Sequence, residues 1–401
     1  MAPLPWTTVV ARYGVEVEAL ADLLVDHPGY RVGQVWDGLY RRLLDPLAMT
    51  DLPSGLRQRL HEELPDALAP VQESVSDDGA TVKWLWRLHD GAQIETVLMH
   101  YDDRSTVCVS SQAGCAMACS FCATGQSGFE RNLAVGEIVE QVVRAARRAR
   151  PRRVSNVVFM GMGEPLANYD RLWAALRRLH GDLGLSARHL TVSTIGVVPG
   201  IDRLAHEDLP VNLAVSLHAA NDADRARLVP LNRRYPLAEL TAACARYVEA
   251  TGRRLSFEWA LIDATNDRPR DASELAALAR PLRAHVNLIP LNPTPAYATP
   301  GTPLEGVRSF CRQLQELGVN ATVRHNRGTG IDAACGQLRA AQPPRPARTV
   351  NLSPTRTAST STSPARTTPA GQTTERTRVP STTAPDPTTD SPPDAARLAA
   401  R

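Results

Sequence analysis

Between residues 104 and 325 short apolar runs alternate with helical stretches. The runs fall at 106–110, 157–161, 190–194, 213–218, 255–262 and 286–291. Helical patterns lie between them, as at 136–148, 169–183 and 272–282. Strands separated by helices cannot pair through tight hairpins. The alternation therefore predicts parallel βαβ units, and six such strands suit an open, partial barrel. In that architecture chemistry gathers at the C-terminal ends of the strands. Each motif can be tested against that rule.

Just past the first run stand Cys115, Cys119 and Cys122, spaced C-x3-C-x2-C in a Gly- and Ser-rich loop. Sulfur ligands favour iron–sulfur clusters or zinc. Structural zinc wants four ligands, usually as two separated pairs, whereas this group is a tight three with no histidine in it. A four-iron cubane on three cysteines keeps one iron without a protein ligand, and that iron can bind and activate a small molecule. Phe121 offers such a cluster an apolar wall. The plainer reading is three small core residues, since free cysteine packs as a hydrophobe. A polar, glycine-rich loop is a poor setting for that.

The later runs end in further polar words. Gly161-Met162-Gly163-Glu164-Pro165 closes the second, where glycines let backbone approach a ligand and a carboxylate can hold an ammonium. Ser193 closes the third, Ser216-Leu217-His218 the fourth and Asn292 the sixth. Each is weak alone. A Gly-x-Gly is most often a turn, and a histidine at a strand end is most often structural. Cys335 is a lone loop cysteine, and Cys244 and Cys311 sit in apolar helical surroundings that read as core.

The N-terminal part, to about residue 70, reads as helices. Trp36, Tyr40 and Leu43 share one face, and Met49-Thr50-Asp51-Leu52-Pro53 offers a cap and an opening proline for the next helix, through Leu56, Leu60 and Leu64. From 71 to 101 the period changes to two, with Val82, Trp84, Trp86 and Leu88 alternating and Asp-Gly turns beside them. Glu95 lies on the last strand of this meander, where an acidic residue is usually just solvated. The net charge of +3 does not by itself announce a nucleic-acid partner. A local basic run, Arg144 to Arg153, is either a favourable helix end or an RNA contact. No apolar run reaches the ~20 residues of a membrane span, and no signal-like segment opens the chain. Seven cysteines, an odd number, do not suggest a secreted disulfide framework. A cytoplasmic protein is expected. From 341 onward Pro, Thr, Ser and Arg dominate, which predicts a disordered tail.

Several words identify a family when taken together. They are Glu95-Thr96-Val97, Cys108-Val109-Ser110-Ser111-Gln112, Phe121-Cys122-Ala123-Thr124-Gly125, Ser216-Leu217-His218, Asn266-Asp267 and Ala333-Ala334-Cys335-Gly336-Gln337-Leu338. With the cysteine triplet, and over about 15–340, the sequence resembles the RlmN/Cfr family of radical S-adenosylmethionine (SAM) RNA methyltransferases, most closely its RlmN branch. The resemblance implies an α/β fold, a partial (β/α)6 TIM-like barrel. It divides the chain into a helical accessory domain (1–70), a β-meander linker (71–103), a catalytic domain (104–340) and the tail (341–401). It implies a [4Fe-4S] cluster on Cys115, Cys119 and Cys122, and SAM contacts from Gly163, Glu164, Ser193, Ser216, Leu217, His218 and Asn292. Gly330 stands where relatives commonly carry an acidic residue.

The implied reaction uses two SAM molecules per turnover. Cys335 takes a methyl group from one. The radical made from the other removes a hydrogen from that methyl, and the methylene radical adds to adenine. Cys108 then deprotonates the adduct and resolves it through a transient disulfide with Cys335, with Glu95 a candidate proton acceptor. The implied substrates are an adenosine of 23S rRNA in the peptidyl-transferase centre and the adenosine 3′ of the tRNA anticodon, methylated at C2. A Cfr-like C8 reaction and a non-catalytic iron–sulfur RNA-binding protein are the alternatives. An electron donor such as flavodoxin or ferredoxin, and a monomeric state, complete the expectation.

Overall fold

A computed structural model describes residues 11–339, apart from Asp77, His325 and Asn326. The expected tail from 341 lies outside the described residues. The chain begins with α1 (Val17–Leu23), α2 (Tyr30–Tyr40) and α3 (Ser54–Glu63). Leu56 and Leu60 are buried at helical spacing, as the pattern predicted. On the expected face of α2, by contrast, only Tyr40 is fully buried: Trp36 is half-buried and Leu43 lies beyond the helix end with φ +55. The cap expected from the stretch 49–53 is not made by any side chain there, Asp51 included. The carboxylate pairs with Arg42 at 3.0 Å, and α3 starts after Pro53 with no side-chain cap.

Three antiparallel strands follow: β1 (Ala69–Val75), β2 (Thr81–Arg87) and β3 (Gln93–His100). β3 pairs antiparallel with β4 (Ser105–Cys108), so the meander extends the main sheet directly. Next come β5 (Gln112–Gly114), α4 (Ala123–Ser127), β6 (Phe129–Asn132), α5 (Val135–Ala149) and β7 (Asn156–Phe159). The alternation then continues through α6 (Tyr169–Gly181), β8 (Leu190–Thr194), α7 (Val198–Leu204) and β9 (Asn212–Ser216). It ends with α8 (Asp222–Leu228), α9 (Leu237–Thr251), β10 (Ser256–Leu261), α10 (Pro269–Ala279), β11 (His285–Pro290), α11 (Leu304–Glu316) and β12 (Asn320–Val323).

The sheet order is β1-β2-β3-β4-β7-β8-β9-β10-β11-β12, and every pairing from β4 to β12 is parallel. All six predicted runs are strands of this sheet. A seventh parallel strand, β12, ends it. Only Ala321 of that strand is fully buried, so the half-exposed sheet edge carries little apolar signal.

α5 shows why the helices lie where they do. Ile138, Val139, Val142 and Val143 are fully buried along one stripe. At its start Glu137 accepts the Ala134 N–H at 2.8 Å. At its end the basic run is used for packing. Arg144 pairs with Asp66 and Glu140, Arg147 donates to the Leu43 carbonyl and the Tyr13 hydroxyl, and Arg148 pairs with Glu73. These bonds tie the helix to the N-terminal segment and to β1. Arg178 on α6 does the same, donating to the Tyr13 and Val15 carbonyls and pairing with Glu16 at 2.6 Å.

Candidate active site

The C-terminal ends of the parallel strands surround a cavity of about 900 Å³, its open mouth included. Cys115, Cys119 and Cys122 line it, with Gly163, Glu164, Ser193, Ser216, His218, Asn292 and Cys335. The strand-end rule thus brings together residues spread over 220 positions of sequence, from 115 to 335.

A small hairpin carries the cysteine loop. β5 and β6 pair antiparallel, and Cys115 N–H donates to the Gly128 carbonyl at 2.7 Å. Gly114 has φ +70, and a Cβ there would lie 2.0 Å from the Gly128 oxygen, so only glycine closes this hairpin. Inside the loop Ala118 adopts φ +53, an uncommon conformation for a residue with a side chain. Ser120 N–H donates to the Leu228 carbonyl, which fixes the loop to the end of α8. Met117, Cys119 and Phe121 pack with Ile195, Leu228, Val229 and Ala260 in a small apolar cluster of their own. Burial pushes the Cys115 thiol up to about 12 and holds those of Cys119 and Cys122 above their ordinary value.

Gly163 has φ +100, and a Cβ there would meet Gln112 within 2.5 Å. Its glycine is needed to pack against β5, in addition to any approach to a ligand. The neighbouring Glu164 is buried, and its oxygens accept N–H bonds from Leu166 (3.0 Å) and Ile195 (2.8 Å). Burial raises its carboxyl to about 7, against the pull of those N–H groups. No cationic side chain pairs with it among the described residues. His218 is buried and neutral. Its Nδ1 accepts the Ala260 N–H at 3.0 Å, and burial, then the Arg225 charge, lowers it to about 3. Its ring meets Phe121 edge-on at 4.7 Å. Ser193 and Ser216 place their hydroxyl oxygens 3.4 Å apart. Leu217, just past the end of β9, is buried away from the lining, and its N–H donates to the Glu258 carbonyl of β10 at 3.0 Å.

Cys335 sits on a strap that closes against the cysteine loop. Ala123 N–H donates to the Gly336 carbonyl at 2.8 Å, Thr124 Oγ1 to the Leu338 carbonyl at 2.6 Å, and Asn292 Nδ2 to the Cys335 carbonyl at 3.1 Å. Cys108, at the end of β4, is buried just behind the lining. Burial pushes its thiol up to about 12, and the nearby Cys335 adds to the rise. All seven cysteines are free. Glu95 is not part of the lining. It pairs with Lys83 at 3.1 Å and accepts the Arg339 N–H at 2.7 Å, so in this structure it anchors the far end of the strap. Gly330, in an exposed turn, has open space where a side chain would go. Cys244 and Cys311 lie in the core, as expected.

Residues 109–279 match the model of the Radical SAM superfamily. A protein of Salinispora tropica named "Probable dual-specificity RNA methyltransferase RlmN" is 54% identical over 330 residues, 79% of this chain and 89% of that protein. A protein of the same name from Frankia casuarinae is 52% identical over 367 residues, 85% of this chain and 87% of its own length. This chain belongs to the RlmN family. The crystal structure of a radical SAM methyltransferase from Sphaerobacter thermophilus agrees, with 54% identity, a TM-score of 0.80, and coverage of 82% of this chain and 99% of that one.

The radical SAM fold brings with it a [4Fe-4S] cluster and SAM, and the RlmN site suits both. Three thiols share one cavity with apolar walls at Met117 and Phe121. Among the described residues no three His, Cys, Asp or Glu side chains converge on a single ion position. Ligands of a cubane each hold a different iron, so they stand apart. Two further residues suit the same groups and were not singled out from sequence. Arg225 on α8 is fully buried and donates to the carbonyls of Ile195 (2.6 Å) and Leu217 (3.0 Å) and to Asn232 Oδ1 (3.0 Å). It sets a positive charge beside Cys119, with no carboxylate in ion-pair range among the described residues. Burial lowers it to about 10, partly offset by Cys119. Nothing in a short polar helix signals such a role. Glu258 also lines the cavity, accepting from Ser256 (3.1 Å) and Asn287 (2.9 Å). A lone glutamate within the apolar 255–262 run was a readable signal.

Proposed function

We propose that this protein methylates C2 of adenosine in RNA, both in the peptidyl-transferase centre of 23S rRNA and 3′ of the tRNA anticodon. The observation that carries the reading is the meeting of the three-cysteine loop, Glu164 and the Cys335 strap in one cavity, with Cys108 behind it. Cys115, Cys119 and Cys122 are the cluster ligands in this reading. When bound and reduced, the cluster supplies the electron that splits SAM into methionine and a 5′-deoxyadenosyl radical.

The remaining work belongs to side chains. Glu164, buried and without a cationic partner, receives the ammonium of SAM. Gly163, Ser193, Ser216, His218 and Asn292 line the rest of its site, and the backbone at Leu217 holds the neighbouring strand end. Cys335 carries a methyl group from one SAM, and its methylene becomes the new carbon on adenine, so two SAM are used per turnover. Once the adduct has given up its unpaired electron, Cys108 takes its C2 proton and passes it on. The Cys108 thiolate then attacks the Cys335 sulfur, and the sulfur–carbon bond breaks with its electron pair on the methylene carbon. That carbon takes a proton to become the methyl group, and the disulfide left between the two cysteines is reduced by an external thiol before the next turnover. Glu95, buried beside Lys83, is a proton acceptor only after the strap that it anchors has moved. A flavodoxin or ferredoxin supplies electrons to a monomeric enzyme.

The deciding experiment is mass spectrometry of nucleosides after reaction of the reconstituted protein with unmodified rRNA and tRNA. 2-Methyladenosine from both is expected, and 8-methyladenosine would replace this reading with the Cfr-like one. The cysteine roles have their own test. Cys108→Ala should trap RNA covalently on Cys335 through a methylene bridge, and Cys335→Ala should trap none. A denaturing gel with peptide mass spectrometry reads both. An adduct on another cysteine, or none on Cys108→Ala, overturns the assignment.

A further inference from the structure

The basic run at the end of α5 divides into two halves. Arg144 and Arg148 have carboxylate partners, and Arg147 is used in packing. Arg150, Arg152 and Arg153 are different. With Arg41, from the end of α2, they surround a second cleft, about 820 Å³ on the same measure as the cavity. Its floor is apolar, formed by residues such as Leu43, Val154 and Leu183.

All four arginines are exposed. Each guanidinium donates only to backbone carbonyls: Arg41 to Gly181, Arg150 to Arg42, Arg152 to Tyr101 and Asp102, and Arg153 to Gly184. None has a carboxylate within 4.0 Å among the described residues. The nearby Asp182 already accepts from Trp36 and pairs with Arg178. Two of the cations also meet at one point. Arg41 Nη1 lies 2.5 Å from where a Cβ on Gly184 would be, while Arg153 binds the Gly184 carbonyl. Like charges gathered on an open rim repel one another, and most of their five N–H donors each remain available. An anion with several phosphates relieves both conditions.

We infer that this cleft is a second RNA-binding surface, which grips the phosphate backbone of the substrate away from the reacting base. The inference rests on the RNA-methylation reading and names where part of the affinity arises. The cleft lies at the N-terminal ends of the parallel strands, beside the start of β7, whereas the cavity lies at their C-terminal ends. β7, four residues at ~3.3 Å per residue, separates the two by about 13 Å before loops are added. A single small anion cannot reach both. A folded RNA can, and phosphate contacts of this kind set affinity and register without reading sequence.

The test uses the full chain with Arg152→Gln and Arg153→Gln together, which keeps a donor for each carbonyl, and with Arg152→Lys and Arg153→Lys as the charge-preserving control. Binding to unmodified tRNA and to a 23S rRNA fragment is measured over a salt series. The Gln pair should bind about tenfold more weakly near 0.1 M salt, with a shallower dependence of log K on log salt. The Lys pair should stay near wild type. Melting temperature, SAM cleavage and kcat at saturating RNA should be unchanged in both, with KM for RNA raised in the Gln pair. Wild-type affinity and salt slope in the Gln pair, or equal losses in both pairs, overturn the inference. A wild-type protein that binds RNA without producing methyladenosine overturns the reading beneath it instead.

Discussion

Two regions of this molecule bury charge in opposite ways. Where α1–α3 meet α5 and α6, every strongly buried charge has its partner. Arg12 pairs with Asp45 and Asp66, Glu140 with Arg144, and Arg178 with Glu16 and Asp182. At the strand-end cavity Glu164, Arg225 and Glu258 are equally buried, yet none has an ion pair within 4.0 Å among the described residues. Backbone groups, amides and the Ser256 hydroxyl hold them instead, with the Arg324 charge acting on Glu258 from beyond ion-pair range. A fold that needs only stability neutralises its buried charges. Charges left without an ion pair are poised for something that arrives later, and shifted groups of this kind cluster at functional sites. On the helical side each buried charge is thus neutralised within the fold, although Arg12 Nη2 is left without a hydrogen-bond partner, whereas the cavity's charges await its ligands.

The contrast can be broken first at the cysteine loop. Cys119→Ala should abolish iron and sulfide binding and 5′-deoxyadenosine release while leaving the fold intact, because the change is small and the loop is pinned by its hairpin. Full iron content with normal cleavage in that variant would sink the ligand assignment. On the helical side the signs reverse. Arg12→Ala leaves Asp45 and Asp66 facing each other and should cost about 4 kcal/mol in denaturant unfolding, with iron binding retained in the folded protein.

Glu164 sharpens the comparison through pH. Its carboxyl has an ordinary value of 4.5 and titrates near 7 in the fold. The folded state therefore holds that proton more tightly than the unfolded chain does. The contribution is fully present below about pH 4.5 and is lost as pH rises through 7, on the order of 3 kcal/mol in all. Unfolding of the cluster-free protein from pH 5 to 8 should show that decline, and Glu164→Gln should remove it. A wild type and variant with parallel pH profiles would mean the carboxylate is already compensated. The smallest effect belongs to the surface. Arg148→Ala breaks a half-exposed pair with Glu73 and should change stability by no more than about 0.5 kcal/mol. A larger loss would show that the helical side depends on its rim as well as its interior.

The readable parts of this sequence were those with a period or a word. Six of the seven parallel strands announced themselves as apolar runs, and β12 did not, because an edge strand needs only one covered face. Gly163, Glu164, Ser193, Ser216, His218 and Asn292 were legible because they close strands, and strand ends converge in a parallel sheet, while the three cysteines were legible by their spacing and Cys335 only by its family word. What sequence could not show was pairing. Asp51 looked like a cap and is an ion-pair partner of Arg42. The arginines from 144 to 153 looked like one run, and they face different neighbours along the turn of the helix and the chain beyond it. Arg225 gave no sign, since a buried cation in a short polar helix reads as a solvated one. Glu95 was found by its word, but its bond to the strap came only from the fold.

The strap that carries Cys335 also has a place in time. A chain made from its N-terminus releases the three-cysteine loop long before Cys335. At ~5–20 residues per second the gap is on the order of ten seconds or more. Until the strap arrives, Ala123 N–H and Thr124 Oγ1 have no Gly336 or Leu338 carbonyl to bind, and that wall of the cavity stays open. The order of synthesis thus leaves a window in which iron and sulfide can be delivered to the nascent protein.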